Sequence, residues 1–207
     1  MIAAMLAGSL TSIKIFVLTL VFSLPLGLPV AFARMSKYPF ISVPANIFML
    51  IMRGTPLILQ LIFIYFVPYY IFGFSFQRFT AVIIAFSINY AAYFAEIYRG
   101  GILSIPVGQW EAANVLGFTR RQAFFKIILP QTIRRILPAT GNEVITLVKD
   151  TALAQVLGVS ELFRVAQNTA SRDFSTIPIF VAGIFYFVMN WIVSAIFAWT
   201  EKKLDYY

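Results

Sequence analysis

Residues 79–98 read FTAVIIAFSINYAAYFAEIY, twenty residues held between Arg78 and Arg99. An α-helix rises about 1.5 Å per residue, so about 20 mostly apolar residues cross a hydrocarbon core of about 30 Å. The stretch carries no charge until Glu96, in its last turn, and an arginine waits at each end. It reads as a membrane-spanning helix.

The rest of the chain agrees with that reading. Of its 207 residues 60% are hydrophobic and only 12% are charged, whereas a soluble domain keeps about a quarter of its residues charged. Such a chain cannot cover a water-facing surface, so a bilayer is its solvent. It has no Cys and no His, which excludes disulfides, thiolate chemistry and the commonest zinc sites. No catalytic or metal-ligating constellation is left. The single Lys of the first twenty residues, Lys14, sits inside apolar sequence. A cleaved signal peptide places its basic residues ahead of the apolar run, so a short segment leading into a first membrane helix is expected.

Four further spans follow. Residues 13–33 end at Arg34 and Lys37 and carry Pro25, Gly27 and Pro29, which a span tolerates where neighbouring helices cover the freed backbone. Phe40–Met52 is apolar but too short to cross and is interrupted by Pro44; it reads as a helix lying in the interface. Thr55 then suits an N-cap and Pro56 a first helical position, opening a span over 56–73. One kinked helix over 46–73 would instead sink Arg53 into apolar sequence. Residues 136–159 are apolar in part but include Glu143, Lys149 and Asp150, and 177–199 contain Trp191 and Trp199, aromatic residues typical of interfaces. The expected fold is all-α: one polytopic integral membrane domain over 1–207 with five transmembrane helices.

Charge sets its direction. Alternating the five spans gathers eleven basic residues on one side: Arg34, Lys37, Arg53, Arg99, Arg120, Arg121, Lys126, Arg134, Arg135, Lys202 and Lys203. Lys14, Arg78, Arg164 and Arg172 fall on the other, and Lys149 lies within a span. Lys and Arg concentrate on the cytoplasmic side, which puts the N-terminus outside and the C-terminus in the cytoplasm. The net charge of +8 then needs no nucleic acid to explain it.

The longest cytoplasmic connection is 100–135. Pro106 suits a first helical turn, residues 107–116 are mostly good helix formers, and Gly117 supplies a left-handed stop. Thr119 and Gln122 have capping-box spacing, starting a second short helix that ends at Pro130. Glu111 sits near the start of the first helix, where the dipole favours an anion. Ala112 and Ala113 present a low-profile surface that another surface can approach. A plain loop helix packed on its own protein has the same local grammar.

Glu111-Ala112-Ala113, three residues, Gly117, nine residues, then Ile127-x-Leu129-Pro130 resembles the EAA loop of permease subunits of ATP-binding-cassette importers. Arg53-Gly-Thr-Pro-Leu57, Glu96-Ile-Tyr-Arg-Gly-Gly-Ile102 with Pro106-x-Gly-Gln109, and Asn142-Glu143-x5-Lys149-Asp-Thr-Ala-Leu153 resemble the branch that takes up polar amino acids. The resemblance covers nearly the whole chain. It departs at an N-terminus that looks short and at Ala152, where many relatives carry Ser. It implies that Glu111, Ala112, Ala113 and Gly117 dock on a separate ATPase subunit. It also implies a bacterial cytoplasmic (inner) membrane location, a homodimer or a heterodimer with a related permease, two ATPase subunits and an extracytoplasmic amino-acid-binding protein. No G-x-x-x-x-G-K-[ST] phosphate loop occurs in the sequence. The resemblance therefore makes the chain a transport subunit rather than an enzyme. It has no cofactor of its own, and ATP and Mg belong to the partner.

Ionisable residues inside spans cost about 2.5–3.5 kcal/mol each by insertion scales and persist where they line water, pair or bind something. Asn89, Tyr93 and Glu96, spaced i, i+4, i+7, share one helix face, and so do Glu143, Thr146 and Asp150, with Lys149 beside them. Gln60 lies one turn into the second span. Together they are candidates for a shared hydrated substrate pathway. Structural alternatives remain for each: an ion pair of Glu96 with Arg99, local pairing of Lys149 with Asp150 or Glu143, and helix-to-helix hydrogen bonds from Asn89 and Tyr93. An ion-coupled secondary transporter is a second functional reading. It should show paired repeat halves with matching broken helices, and the sequence has no such repeat.

Overall fold

The computed structural model describes residues 2–204, leaving Met1 and residues 205–207 of the expected domain outside the described residues. Every element among the described residues is helical. The first, α1 (Ile2–Arg34), is longer than the span expected over 13–33: the leading segment is already helical and continuous with it. Pro25 and Pro29 sit inside it without ending it. One stripe of mostly small residues, among them Ser12, Thr19, Ser23, Gly27 and Ala31, is buried along its length.

That stripe packs on α4 (Arg78–Leu103), which contains the opening stretch and is the buried centre of the molecule. A membrane offers little hydrophobic drive for helix pairing, so close approach of small residues carries the contact. At Gly27 the approach is limiting: a Cβ there would lie 3.1 Å from Phe94 Cβ and 3.2 Å from the Ala91 carbonyl oxygen. Around α4 the core is built from Phe86, Tyr90 and Phe94 with Ile15, Leu61 and Leu147.

Between α1 and α4 lie α2 (Pro39–Gly54) and α3 (Leu57–Phe72), bent by 111° at their junction. The long-helix alternative is therefore excluded. The junction differs in detail from the sequence reading, which makes Thr55 the N-cap of the second span. Thr55 instead ends α2, its hydroxyl donating back to the Ile51 carbonyl at 2.8 Å, and Pro56 occupies the N-cap of α3. The Thr55 N–H donates to the same Ile51 carbonyl at 3.1 Å, so both its backbone and its hydroxyl close the end of α2.

After α4 come α5 (Val107–Val115) and α6 (Arg120–Ala123), a π-helical turn over Phe124–Ile128, and α7 (Leu129–Asp150). The second loop helix does not stop at Pro130. The chain passes Pro130 by widening, with the Leu129 N–H donating to the Phe124 carbonyl five residues back. A proline in a regular helix clashes with the carbonyl four residues before it, and the π turn relieves that contact. Pro130 thus opens α7 rather than ending α6.

The apolar run expected to 159 leaves α-helical geometry at Thr151, continues as a 3₁₀ turn to Leu157, and stops at Gly158 with φ +80°. Helix α8 (Leu162–Asp173) then precedes α9 (Ile177–Leu204). Of these helices α1, α4 and α9 are each long and apolar enough to cross a membrane, and α2 with α3 meet that condition only as a bent pair. Alone, the sixteen residues of α3 reach about 24 Å. Helix α7 has the length but carries Arg134, Arg135, Glu143, Lys149 and Asp150.

Candidate functional site

The loop helix α5 and its exit turn follow the expected grammar closely. Gly117 has φ +77°, its N–H donates to the Asn114 carbonyl, and the Phe118 N–H reaches the Ala113 carbonyl, both at 3.0 Å. Those two bonds make a Schellman stop. Two residues later Thr119 and Gln122 form a reciprocal capping box. The corner between α5 and α6 is thereby fixed at both ends, and it encloses a groove of about 620 Å³ lined by Trp110, Glu111, Asn114, Phe118, Arg120 and Ala123.

Glu111 and Ala112 are exposed on this corner and Ala113 is not. Ala113 is fully buried, so it belongs to the packing that seats α5 rather than to the low-profile surface. Val115 beside it is 87% exposed, with Leu116 and Val107 also outside. An exposed carboxylate with free apolar neighbours on a capped helix is suited to a protein partner. The loop is also tied to α7: Gln131 Nε2 donates to Gln109 Oε1 at 3.2 Å, and Arg135 donates to the Ser104 carbonyl. These ties were not legible from spacing, because they join residues 22 and 31 positions apart.

The intramembrane candidates divide into three environments. Gln60 and Asn89 are buried, and their N–H groups are taken by protein. Gln60 Nε2 donates to the Met52 carbonyl at 2.9 Å and to Thr55 Oγ1 at 2.8 Å. Asn89 Nδ2 donates to the same Met52 carbonyl at 3.0 Å and to Gln60 Oε1 at 2.9 Å. The bend leaves carbonyls at the end of α2 without intrahelical partners, and these two amides cover them from α3 and α4.

Glu96 is held by Arg99 through two hydrogen bonds, 2.5 and 3.1 Å, with Arg53 at 3.9 Å. Tyr93 lies under the Arg53 guanidinium, 5.6 Å from ring centroid to Cζ.

The third environment is the face of α7. Glu143 and Asp150 are half-buried on it, and Thr146 and Lys149 are exposed. Glu143 has no ion pair or side-chain hydrogen bond among the described residues. Asp150 Oδ2 accepts from the Tyr90 hydroxyl at 2.8 Å, which leaves Oδ1 uncommitted. Tyr90 itself, 2% exposed on α4, was not singled out by the sequence reading. Its signal is a phenol deep in an apolar span, since a buried hydroxyl finds a partner. Among the described residues no group of His, Cys, Asp and Glu could hold a metal ion.

The sequence profile described as "Binding-protein-dependent transport system inner membrane component" matches residues 23–206. The chain belongs to this family. It is 38% identical over 202 residues to the L-cystine transport system permease protein TcyB of Bacillus subtilis (strain 168), covering 97% of this chain and 86% of that one. It is 36% identical over 201 residues to the arginine transport system permease protein ArtQ of the same organism, covering 96% and 91%. Among solved structures it resembles a chain from a crystal structure of an amino acid ABC transporter with histidines. There the TM-score is 0.90 at 35% identity, over 97% of this chain and 94% of the other. As a member of this family, the protein is a membrane transport component.

One further carboxylate was missed from sequence. Glu161 is fully buried and caps α8, accepting from the N–H groups of Phe163 and Arg164 at 2.7 and 2.6 Å and from the Tyr186 hydroxyl at 2.9 Å. Burial raises its carboxyl above the ordinary glutamate range against the pull of those donors. All its visible partners are structural, so it anchors α8 to α9.

Proposed function

We propose that this permease has five spans in a bacterial inner membrane, its N-terminus outside and its C-terminus in the cytoplasm, and imports polar amino acids at the expense of ATP hydrolysed by partner subunits. The observation that carries the reading is the α5–α6 corner. A Schellman glycine and a capping box hold Glu111 and Ala112 outward beside a groove, in a chain that has no phosphate loop. The corner is the docking surface for an ATPase, and Gly117 sets its shape. Two permeases, identical or related, pair about an axis along the membrane normal, two ATPase subunits dock below, and an extracytoplasmic binding protein delivers from above.

Closure of the ATPase pair on ATP draws the two α5 helices together. Through Gln109–Gln131 and Arg135–Ser104 that displacement reaches the start of α7. Along α7 stand the groups suited to a zwitterion. Glu143 and the free oxygen of Asp150 take the ammonium, and Lys149 takes the carboxylate, because Asn89 has spent its amide on the α2–α3 bend. The similarity to amino acid permeases such as ArtQ and TcyB supports this substrate class.

The test is reconstitution of the permease with its ATPase and binding protein in vesicles. Hydrolysis is read across the twenty amino acids, and uptake of any that stimulate is then measured. Stimulation and uptake should both fall in Glu143→Gln and Asp150→Asn. Gradient-coupled uptake by the permease alone would overturn the reading.

A further inference from the structure

A second polar cavity, of about 280 Å³, opens between the ends of α1 and α2 and the flank of α4, with Arg34, Asn46, Met49, Leu50, Arg53 and Glu96 in its walls. Its charges do not balance. Glu96 is already taken up by two hydrogen bonds from Arg99, and Arg53 stands off at 3.9 Å. Arg34 makes no ion pair among the described residues. Two guanidinium groups therefore face one neutralised carboxylate. Arginine forks match the oxygen geometry of phosphate, so the surplus is suited to a phosphate-bearing anion.

An apolar strip adjoins the cavity at Leu50. Phe40, Val43, Ile47, Leu50 and Ile51 lie along one side of α2 and are all exposed. Leu50 belongs to both the cavity wall and this face. Arg34 stands where the apolar run of α1 ends and Arg53 in the last turn of α2, which is headgroup depth for helices leaving hydrocarbon. An anionic pocket-filler at that depth, continuous with an exposed apolar strip, has the chemistry of a lipid rather than of a free solute. A zwitterionic lipid would bring its own cation against two guanidinium groups; an anionic one does not.

We propose that Arg34, Arg53 and the outer face of α2 form a binding site for one anionic phospholipid, its phosphate in the cavity and its acyl chains along α2. Basic pockets between membrane helices bind such headgroups. No α7 residue lines this cavity, and the proposal does not depend on what is transported.

The experiment uses the intact transporter complex in nanodiscs of phosphatidylglycerol and phosphatidylcholine. Lipids retained on release are counted by native mass spectrometry. The wild type should keep phosphatidylglycerol in preference to phosphatidylcholine, and Arg34→Gln should release it at ten-fold or more lower excess. Arg53→Gln should do the same, while Lys37→Gln, whose cation lies outside the cavity, should retain it. Among the described residues Arg34 has no ion-pair partner to lose, so its variant separates lipid binding from any folding defect caused by freeing Glu96 in the Arg53 variant. Equal retention in wild type and Arg34→Gln would overturn the proposal. So would inorganic phosphate occupying the complex in pure phosphatidylcholine with no preference for phosphatidylglycerol, which would make the cavity a free-anion site.

Discussion

Gly117 offers the sharpest test of how the loop corner works. Its φ of +77° lies in the left-handed region, which costs an ordinary L-residue about 1–2 kcal/mol. A Cβ placed there meets nothing within 4 Å of its own chain, so the cost of substitution within the permease is conformational and not steric. Alanine should therefore weaken the correct corner by about 5- to 30-fold. Asparagine tolerates the left-handed region and should lose less, and β-branched valine, a genuine outlier there, should lose more. The expected order of ATPase-subunit affinity, measured on permease in nanodiscs, is Gly, then Asn, then Ala, then Val, with amino acid uptake per ATP hydrolysed falling in step. Membrane insertion should not change. Valine binding as well as asparagine would refute the backbone argument. Equal severe losses in all three would mean that the partner's surface, rather than the turn, demands the absence of a side chain.

Other outcomes follow from the same geometry. Tyr90→Phe removes the hydroxyl on Asp150, and a hydrogen bond to a charged group contributes about 1.5–3 kcal/mol. Apparent affinity for the transported amino acid should weaken by about ten-fold or more while ATPase docking is unchanged, as read from initial uptake rates against substrate concentration. Gly101→Ala places a Cβ 2.1 Å from Ile136 Cγ2. The α4–α7 crossing must then shift, at about 1–3 kcal/mol, which should lower the thermal unfolding midpoint in detergent. Glu161→Ala strips two N–H groups of α8 of their acceptor. It should destabilise by about 1–3 kcal/mol, more than Glu161→Gln, which keeps a carbonyl oxygen for them; thermal unfolding again decides.

Much of the architecture was legible because it depends on neighbours in sequence. The span over 79–98, the left-handed stop at Gly117 and the box of Thr119 with Gln122 are local devices, and local periodicity or spacing identifies them. What was not legible involves groups that meet from afar. The sequence gives no sign that the carbonyl of Met52 is covered by Gln60 and Asn89, the latter 37 positions away, nor that Tyr90 finds Asp150 at a separation of 60. Ala112 and Ala113 look interchangeable in the sequence, yet adjacent helix positions point about 100° apart, so one faces out and the other in. Pro130 shows the limit of a breaker rule: it ends a regular helix, but a π turn lets the chain continue.

Helical spacing puts the polar residues on shared faces, but only their partners distinguish packing from a pathway. On α4 the Asn89 N–H groups are taken by Met52 and Gln60, and Glu96 is held by Arg99 with Arg53 nearby. An amide whose N–H groups are both spent has no donor left for a solute's carboxylate, and in hydrocarbon such helix-to-helix bonds are packing. On α7 the opposite holds. Lys149 and Thr146 are exposed, Glu143 has no partner among the described residues, and Asp150 has one free oxygen. A face this polar cannot be left against acyl chains at about 2.5–3.5 kcal/mol for each charge. It needs water or a second permease across from it. The proposed pathway therefore runs along α7, and Gln60 and Asn89 act behind it by holding the bend that keeps α2 and α3 in place. Substituting Asn89 by Leu should consequently cost stability in thermal unfolding before it changes which amino acid stimulates hydrolysis. A changed amino acid preference at unchanged stability would return Asn89 to the pathway.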